Sequence, residues 1–312
     1  MAIRRLDTSH LPEELHELMA VCHAEENAEE PYRSRADTEA YLRNPPESES
    51  RHYWIAETAD GCVGFAQLGV LQGTPRGGTG LLVHPDHRRQ GHGRALLEAM
   101  LEQARLLGAR SLVGAHAIEA GSRFAAAVGA VDSYREVRSL LQLPLDKEIR
   151  PVDGYAVQSW VGATPPELLE SYARAREAVN DAPDGFDDRE VWTPEFVRDL
   201  EATVERRGRD MRVTIALDER RDVVGFTELR VSRTEGALAG TEDTAVVASH
   251  RRRGLARWVK VESLRRLQHD RPDVPLVTTS NAENNHAMLG LNRAIGFSQV
   301  AVQTICTLET SG

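Results

Sequence analysis

Two short basic loops in this sequence carry the residue types that bind phosphate. Each reads Arg-x-x-Gly-x-Gly/Ala and follows an apolar run, once within residues 87–93 and again within residues 250–256. Glycine leaves the backbone accessible, and the first N–H groups of a helix have no partner inside it. A glycine loop that leads into a helix therefore favours an anion, and phosphate binding is expected at both loops.

Other phosphate motifs fit these loops less well. A dinucleotide fingerprint needs a third glycine and an acidic residue about 20 positions later. The Gly-Lys-Ser/Thr run of a P-loop is absent from both loops. Polar surface loops with solvated arginines are the remaining alternative, and an in-register duplication disfavours that interpretation.

The sequence is duplicated around these loops. Residues 63–68 reappear at 224–229, 87–93 at 250–256, and 127–130 at 294–297, which gives offsets of 161, 163 and 167. A charged segment with prolines at both ends, within residues 143–151, suits a linker between the copies. In a chain of 312 residues we therefore predict two domains, at residues 1–146 and 150–312.

Both halves predict the same order of elements. Strand-like runs precede each loop, a helix follows it at 91–106 or 254–269, and a further strand and a short helix come next. In the first of these helices the apolar residues recur at i, i+3, i+4 and i+7. Strands followed by covering helices predict an α/β (α+β) fold, with a mixed sheet in each domain.

These motifs resemble the GNAT acetyltransferase superfamily, whose signature is Arg/Gln-x-x-Gly-x-Gly/Ala after a strand. The duplicated layout is similar to that of its two-domain members and distantly similar to that of mycothiol synthase. The resemblance implies two tandem GNAT-like domains, each a mixed, mostly antiparallel sheet flanked by helices. It also implies acetyl-CoA (coenzyme A) as the cosubstrate, with no metal.

The resemblance further implies which residues hold the coenzyme. Main-chain groups around Val83 and Val246 would pair with the pantetheine arm, and an N–H near Val246 or Val247 would hold the thioester oxygen. The loop residues would bind the pyrophosphate: Arg88, Arg89, Gly91, Gly93 and Arg94 in the first domain, and Arg251, Arg252, Arg253, Gly254, Leu255, Ala256 and Arg257 in the second.

The two halves differ near their last helix. The second half has amide side chains there, at Asn281, Asn285 and Asn292, that can bond pantetheine amides, whereas the first half has Ile118 and Ala125. This difference predicts a catalytic second domain and a structural or degenerate first domain. The family usually has, where Asn292 stands, a tyrosine that protonates the leaving thiolate. An amide cannot act as that acid, so either water or another donor would protonate the thiolate, or the thiolate would simply be stabilised.

The acceptor amine needs a base, because an alkylammonium has a pKa near ~10. Glu228 projects from an otherwise apolar strand face and is the candidate, whereas its counterpart Gln67 cannot accept a proton. Glu242 and Asp243 are rivals. The structural alternative for Glu228 is a pair with an arginine such as Arg230.

The distribution of charge bears on the partner. The formal net charge of -10 opposes a nucleic-acid partner. Acidic residues between the first two helices of each half favour a cationic acceptor, although solvation alone also explains them: Glu25, Glu26, Glu29, Glu30, Asp181, Asp184, Asp187 and Asp188.

Three features of the sequence bear on its environment. The three cysteines are far apart, so neither a disulfide framework nor a zinc site is predicted. No run approaches the ~20 apolar residues of a membrane span. No signal peptide fits the early charges, and we expect a cytoplasmic protein without a membrane partner.

Together these observations predict an acetyl-CoA-dependent N-acyltransferase. It would transfer an acetyl (acyl) group to an amine of a small molecule by direct attack of the amine on the thioester. The alternative is a non-catalytic acyl-CoA-binding sensor or scaffold module.

Overall fold

The computed structural model describes residues 2–183 and 191–310. The chain divides into two compact units, one formed by residues 1–136 with 301–312 and the other by residues 137–300. Each unit contains a mixed sheet with covering helices, which confirms the predicted fold class. Within the described residues, no helix is both long and apolar enough to span a bilayer.

The first unit begins with a strand and two helices. Its elements in chain order are β1 (Ala2–Arg5), α1 (Leu15–Glu26), α2 (Arg35–Arg43), β2 (Glu49–Thr58), β3 (Gly61–Leu71), β4 (Arg76–Val83), α3 (His92–Leu106), β5 (Ser111–His116), α4 (Glu119–Val128) and the first half of β6 (Val131–Gln142).

The second unit repeats this order after the end of β6. Its elements are β7 (Ala156–Val161), α5 (Pro166–Arg176), α6 (Pro194–Arg206), β8 (Arg209–Leu217), β9 (Val223–Ser232), β10 (Ala239–Val246), α7 (Leu255–Asp270), β11 (Leu276–Ala282) and α8 (His286–Ile295). The chain's last strand is β12 (Ser298–Glu309).

Alternation along the strands places helices on both faces of the first sheet. Ile55 and Phe65 lie in the cluster under α1 and α2, whereas Trp54 and Ala66 lie in the cluster under α3. The predicted apolar stripe of α3 is buried at Leu97, Met100 and Ala104 and half-buried at Leu101, because that face packs on the sheet.

Both sheets open between two central parallel strands. β4 and β5 pair only from Arg76 to Gly78, opposite 111–113, and β10 and β11 pair only at Ala239 and Gly240. The other strand pairs with a described register are antiparallel. Beyond these short ladders the parallel strands separate toward their carboxyl ends, next to the glycine loops.

The last strand of the chain completes the first unit. β12 pairs with β5 from Thr304↔His116 to Glu309↔Ser111. Thr310 continues this contact, since its hydroxyl donates to the Ala109 carbonyl at 2.8 Å. The predicted boundaries, 1–146 and 150–312, place this strand in the second domain, so the observed units differ from them. We propose that the first domain needs residues 301–312 to fold.

Ending the chain at residue 300 is expected to destabilise the first unit more than the second. The edge of β5 loses its ladder, and the buried Ile305 and the Leu308 contact with the core are lost. Hydrogen exchange of the amides of β3 and β4 should speed up, with β8 and β9 as the internal reference. Equal acceleration in both sets would contradict this expectation.

Candidate coenzyme site

The two loops have the same backbone conformation. Arg89 and Arg252 have φ of 63° and 62°, and Gly91 and Gly254 have φ of 89° and 88°. The last two are the N-caps of α3 and α7. A left-handed residue at a helix start turns the first N–H groups outward, and glycine adopts it without strain. The predicted duplication therefore extends to the backbone geometry of both loops.

The first loop borders an open cleft of about 620 Å³. One wall is the end of β4 at residues 81–83, and the opposite wall is the end of β5 with α4. The predicted residues Arg88, Arg89, Gly91, Gly93 and Arg94 all line it, as does Val83. The cleft thus occupies the opening between β4 and β5 and ends at the helix N-terminus, which can hold an anion.

The first arginine of each signature is held by a carboxylate. Arg88 donates to both Glu25 oxygens, at 2.9 and 2.5 Å, and to the Val83 carbonyl at 3.2 Å. Arg251 likewise donates to Asp181 at 2.6 Å and to the Val246 carbonyl at 2.9 Å. The hydrogen bond from Arg88 lowers the pKa of Glu25. Both arginines therefore brace a loop against its strand, and Arg88 also lines the cleft, while the predicted contact of the two arginines with the coenzyme stays a prediction.

The acidic residues between the first two helices have several roles. Glu25 and Asp181 form the braces, and Glu26 lines the cleft. Glu29 is exposed. The predicted Asp184, Asp187 and Asp188 lie outside the described residues.

The remaining residues of the second loop face different ways. Arg252 and Arg253 are exposed, whereas Leu255 is buried in the core, so only its backbone can face an anion. Ala256 packs against the same core, and Arg257 donates to the Glu148 carbonyl at 3.4 Å.

One of the backbone N–H groups predicted to hold the thioester oxygen already donates a hydrogen bond within the sheet. The Val247 N–H donates to the Val224 carbonyl at 2.9 Å, and the His84 N–H donates equivalently to Val63 in the first unit. Val246 lies in register with Gly225 on β9. The Val247 amide is therefore not available for the thioester oxygen, contrary to that expectation.

Glu228 is completely buried, with 0% of its surface exposed. The Tyr172 hydroxyl donates to it, and Arg176 pairs with it and with Asp243, the latter at 2.7 Å. Arg176 also lies 3.6 Å from the centroid of the Trp192 ring. This arrangement favours a structural role for Glu228 over the predicted role of base. The partner is Arg176, because Arg230 instead pairs with Glu242 at 3.4 Å.

The counterpart position in the first unit is held similarly. The Tyr41 hydroxyl donates to Gln67 at 3.2 Å, and Arg51 donates to that hydroxyl at 2.5 Å. A tyrosine and an arginine thus fix this strand position in both units, although they come from non-equivalent places in the sequence. The Glu/Gln difference is therefore explained by local pairing as well as by catalysis.

The predicted amides of the second unit form a buried network. Asn292, which is 1% exposed, accepts a hydrogen bond from Lys260 at 2.7 Å and donates to Asn281 at 2.7 Å. Asn285 instead caps α8, since its oxygen accepts from the Met288 N–H at 3.1 Å. The structure thus brings Asn281 and Asn292 together, and it adds a buried lysine that the sequence interpretation missed.

Lys260 is expected to make folding stability depend on alkaline pH. Burial lowers its pKa from 10.5 to about 7, so between these values the unfolded chain binds more protons than the folded chain. Stability should therefore rise with pH across this window, by up to ~1.4 kcal/mol per pH unit. Urea denaturation at several pH values should show this slope, and Lys260→Met should flatten it. An unchanged slope in that variant would contradict the assignment.

Two histidines in the first cleft were also missed. His116 ends β5, lines the cleft, and lies 3.2 Å from Asp132 through Nε2. His92 replaces Leu255 of the second loop, and neither of its ring nitrogens has a partner among the described residues. In the sequence, the only feature that indicates these two histidines is their position, since His116 ends a strand and His92 begins a helix.

The fold and the duplicated loops are similar to those of tandem GNAT proteins. Residues 49–129 match the family model of the acetyltransferase (GNAT) domain. Over the whole chain, the structure is similar to a tandem GNAT protein from the clavulanic acid biosynthesis pathway, with 25% identity and a TM-score of 0.85. That likeness covers 100% of this chain and 99% of the other.

Two further comparisons extend the likeness. A GCN5-related N-acetyltransferase from Sphaerobacter thermophilus shares the fold, with a TM-score of 0.74, 17% identity, and coverage of 99% of this chain and 95% of that one. The mycothiol acetyltransferase of Streptomyces coelicolor is 34% identical over 126 residues, or 38% of this chain. The chain spans 29% to 39% of the length of such curated mycothiol acetyltransferases, and 39% in this case.

Proposed function

We propose that this protein is an acetyl-CoA-dependent N-acyltransferase that acetylates an amine of a small molecule. The observation that carries the proposal is the cleft between β4 and β5, which leads from an open sheet to a helix N-terminus shaped for phosphate. The GNAT match over residues 49–129 supports it, because that segment contains both strands and the loop.

The residues present fit the coenzyme. Backbone N–H groups from Arg89 to Arg94 would hold the pyrophosphate, and the β4 edge at residues 81–83 would hold the pantetheine arm. Acetyl-CoA supplies an activated thioester, and the attacking nitrogen forms the new amide as the thiolate leaves. Because the second loop has the same conformation, we propose a second coenzyme site there.

Calorimetry with acetyl-CoA tests the proposed binding, and thiol release tests the transfer. Polyamines, amino sugars, amino acid amides and aminoglycosides form a suitable amine panel. Binding with amine-dependent thiol release supports the proposal, whereas absence of binding at both loops overturns it. The loop variant that loses turnover identifies the catalytic unit, which the sequence predicts to be the second.

A non-catalytic acyl-CoA-binding module is the second candidate. Asn292 stands where the family has its tyrosine and is engaged by Lys260 and Asn281, and Ala125 stands there in the first unit. Binding without thiol release for any amine in the panel would favour this candidate.

Glu228→Gln distinguishes the two interpretations of that carboxylate. The catalytic hypothesis expects turnover to fall ~10²–10⁴-fold with stability and coenzyme affinity retained. The buried pairing with Arg176 instead leads us to expect reduced folding stability, with turnover per folded molecule little changed. Turnover normalised to the folded fraction, measured with an accepted amine, decides between them.

A further inference from the structure

We propose that Lys260 is a positioning residue for a ligand carbonyl in the second unit. It would fix the direction of the Asn292 and Asn281 amides, so that Asn281 presents an N–H at the opening between β10 and β11. The inference rests on the proposed coenzyme site at the second loop, where the carbonyl would be a pantetheine amide.

The direction of the network follows from the hydrogen bond of the lysine amine. Lys260 donates through Nζ to the Asn292 carbonyl oxygen at 2.7 Å, which turns the NH₂ group of that amide away from the lysine. The Asn292 NH₂ group must then donate to the Asn281 oxygen, also at 2.7 Å. Within the described residues, the Asn281 NH₂ group is then the donor at the end of this hydrogen-bonded network that has no partner.

The unpaired donor lies at the right place in the sheet. Asn281 is three residues beyond Thr278, the last position at which β11 pairs with β10. It is partly exposed, whereas Asn292 and Lys260 behind it are 1% and 2% exposed. The network therefore runs from the core to the opening between the strands and ends in a donor.

The first unit shows that the fold does not require this network. The counterparts of Lys260 and Asn292, at the offsets of the duplication, are Leu97 and Ala125, and both are buried. Besides its bond to Asn292, Lys260 places Nζ 5.1 Å from the centroid of the Phe297 ring. A buried amine is costly where a leucine packs equally well, so a function in orientation accounts for its presence.

The test uses Lys260→Leu in a Gly91→Glu background, in which a carboxylate blocks the first loop. We expect the dissociation constant of acetyl-CoA at the second loop to rise ~3–10-fold, while the melting temperature rises because the buried amine is gone. Arg265→Leu is the matched control, since it removes an exposed cation from the same helix and should leave affinity unchanged.

A second variant keeps the test independent of stability. Asn281→Ala should weaken binding by the same factor, and the Lys260→Leu/Asn281→Ala double variant should weaken it no further. Unchanged affinity in Lys260→Leu, or additive losses in the double variant, would overturn the positioning role. If the Gly91→Glu protein with Lys260 intact binds no acetyl-CoA, the second coenzyme site itself is refuted, and this inference with it.

Discussion

Gly91→Glu is expected to abolish acetyl-CoA binding at the first loop. Gly91 has φ of 89°, so a side chain there is strained by ~1–2 kcal/mol, although no atom lies within 4 Å of the Cβ position. The larger effect is charge, because the new carboxylate would replace an attraction between phosphate and helix N-terminus by repulsion. Together we expect the dissociation constant to rise at least ~100-fold, equivalent to ~3 kcal/mol.

Calorimetric stoichiometry is the measurement for this prediction. Wild-type protein should bind two molecules per chain, and Gly91→Glu and Gly254→Glu one each. Gly108→Glu is the control for strain, because Gly108 also has a positive φ, of 75°, with open space around it, but lies beyond the far end of α3. It should lower stability without altering affinity. Full stoichiometry in Gly91→Glu would refute the first site.

Arg176→Met should destabilise the second unit by ~3–5 kcal/mol. The substitution leaves Glu228 buried without its counter-charge and removes one partner of Asp243. The cost comes from the stranded carboxylate, so adding Glu228→Leu should recover most of the stability.

Urea denaturation followed by tryptophan fluorescence suits this measurement. Three of the four tryptophans, Trp160, Trp192 and Trp258, lie in the second unit. Arg174→Met is the matched control on the same helix. That arginine is 65% exposed, and its ion pair with Asp222 is a long one, at 3.7 Å. It should cost at most ~1 kcal/mol. Equal losses of unfolding free energy in Arg176→Met and Arg174→Met would contradict the expected cost of the stranded Glu228 carboxylate.

Local sequence patterns were sufficient for the loops and the fold class. A glycine at a left-handed helix start and an apolar stripe on the following helix are both encoded within a few residues, as at Gly91 and α3. The duplication then predicted the second copy, and Gly254 has the same conformation.

The long-range partners could not be predicted in this way. Glu228 meets Arg176 from 52 positions earlier, and Asn292 meets Lys260 from 32 positions earlier. No periodicity specifies such pairs. The braces of Arg88 and Arg251 were missed for the same reason. The sequence shows that these loops are acidic, but it does not show which arginine each carboxylate contacts.

The strand neighbours of β5 were ambiguous for a different reason. β6 and β12 each have 12 residues and follow Gly129 and Gly296 at the same offset in the two copies. Because the copies share one pattern, either strand satisfies the hydrophobic alternation beside β5. The choice depends on pairing across the chain, which the sequence pattern does not contain.

The position of β12 also determines when the first unit can be completed during synthesis. Its strand begins about 180 residues after β5 ends. At ~5–20 residues per second, a ribosome would need roughly 10–40 s to make that interval. Through this time the nascent first unit has an unpaired β5 edge, the kind of surface that chaperones shield. Translation speed across the second half of the message therefore sets how long this edge stays exposed.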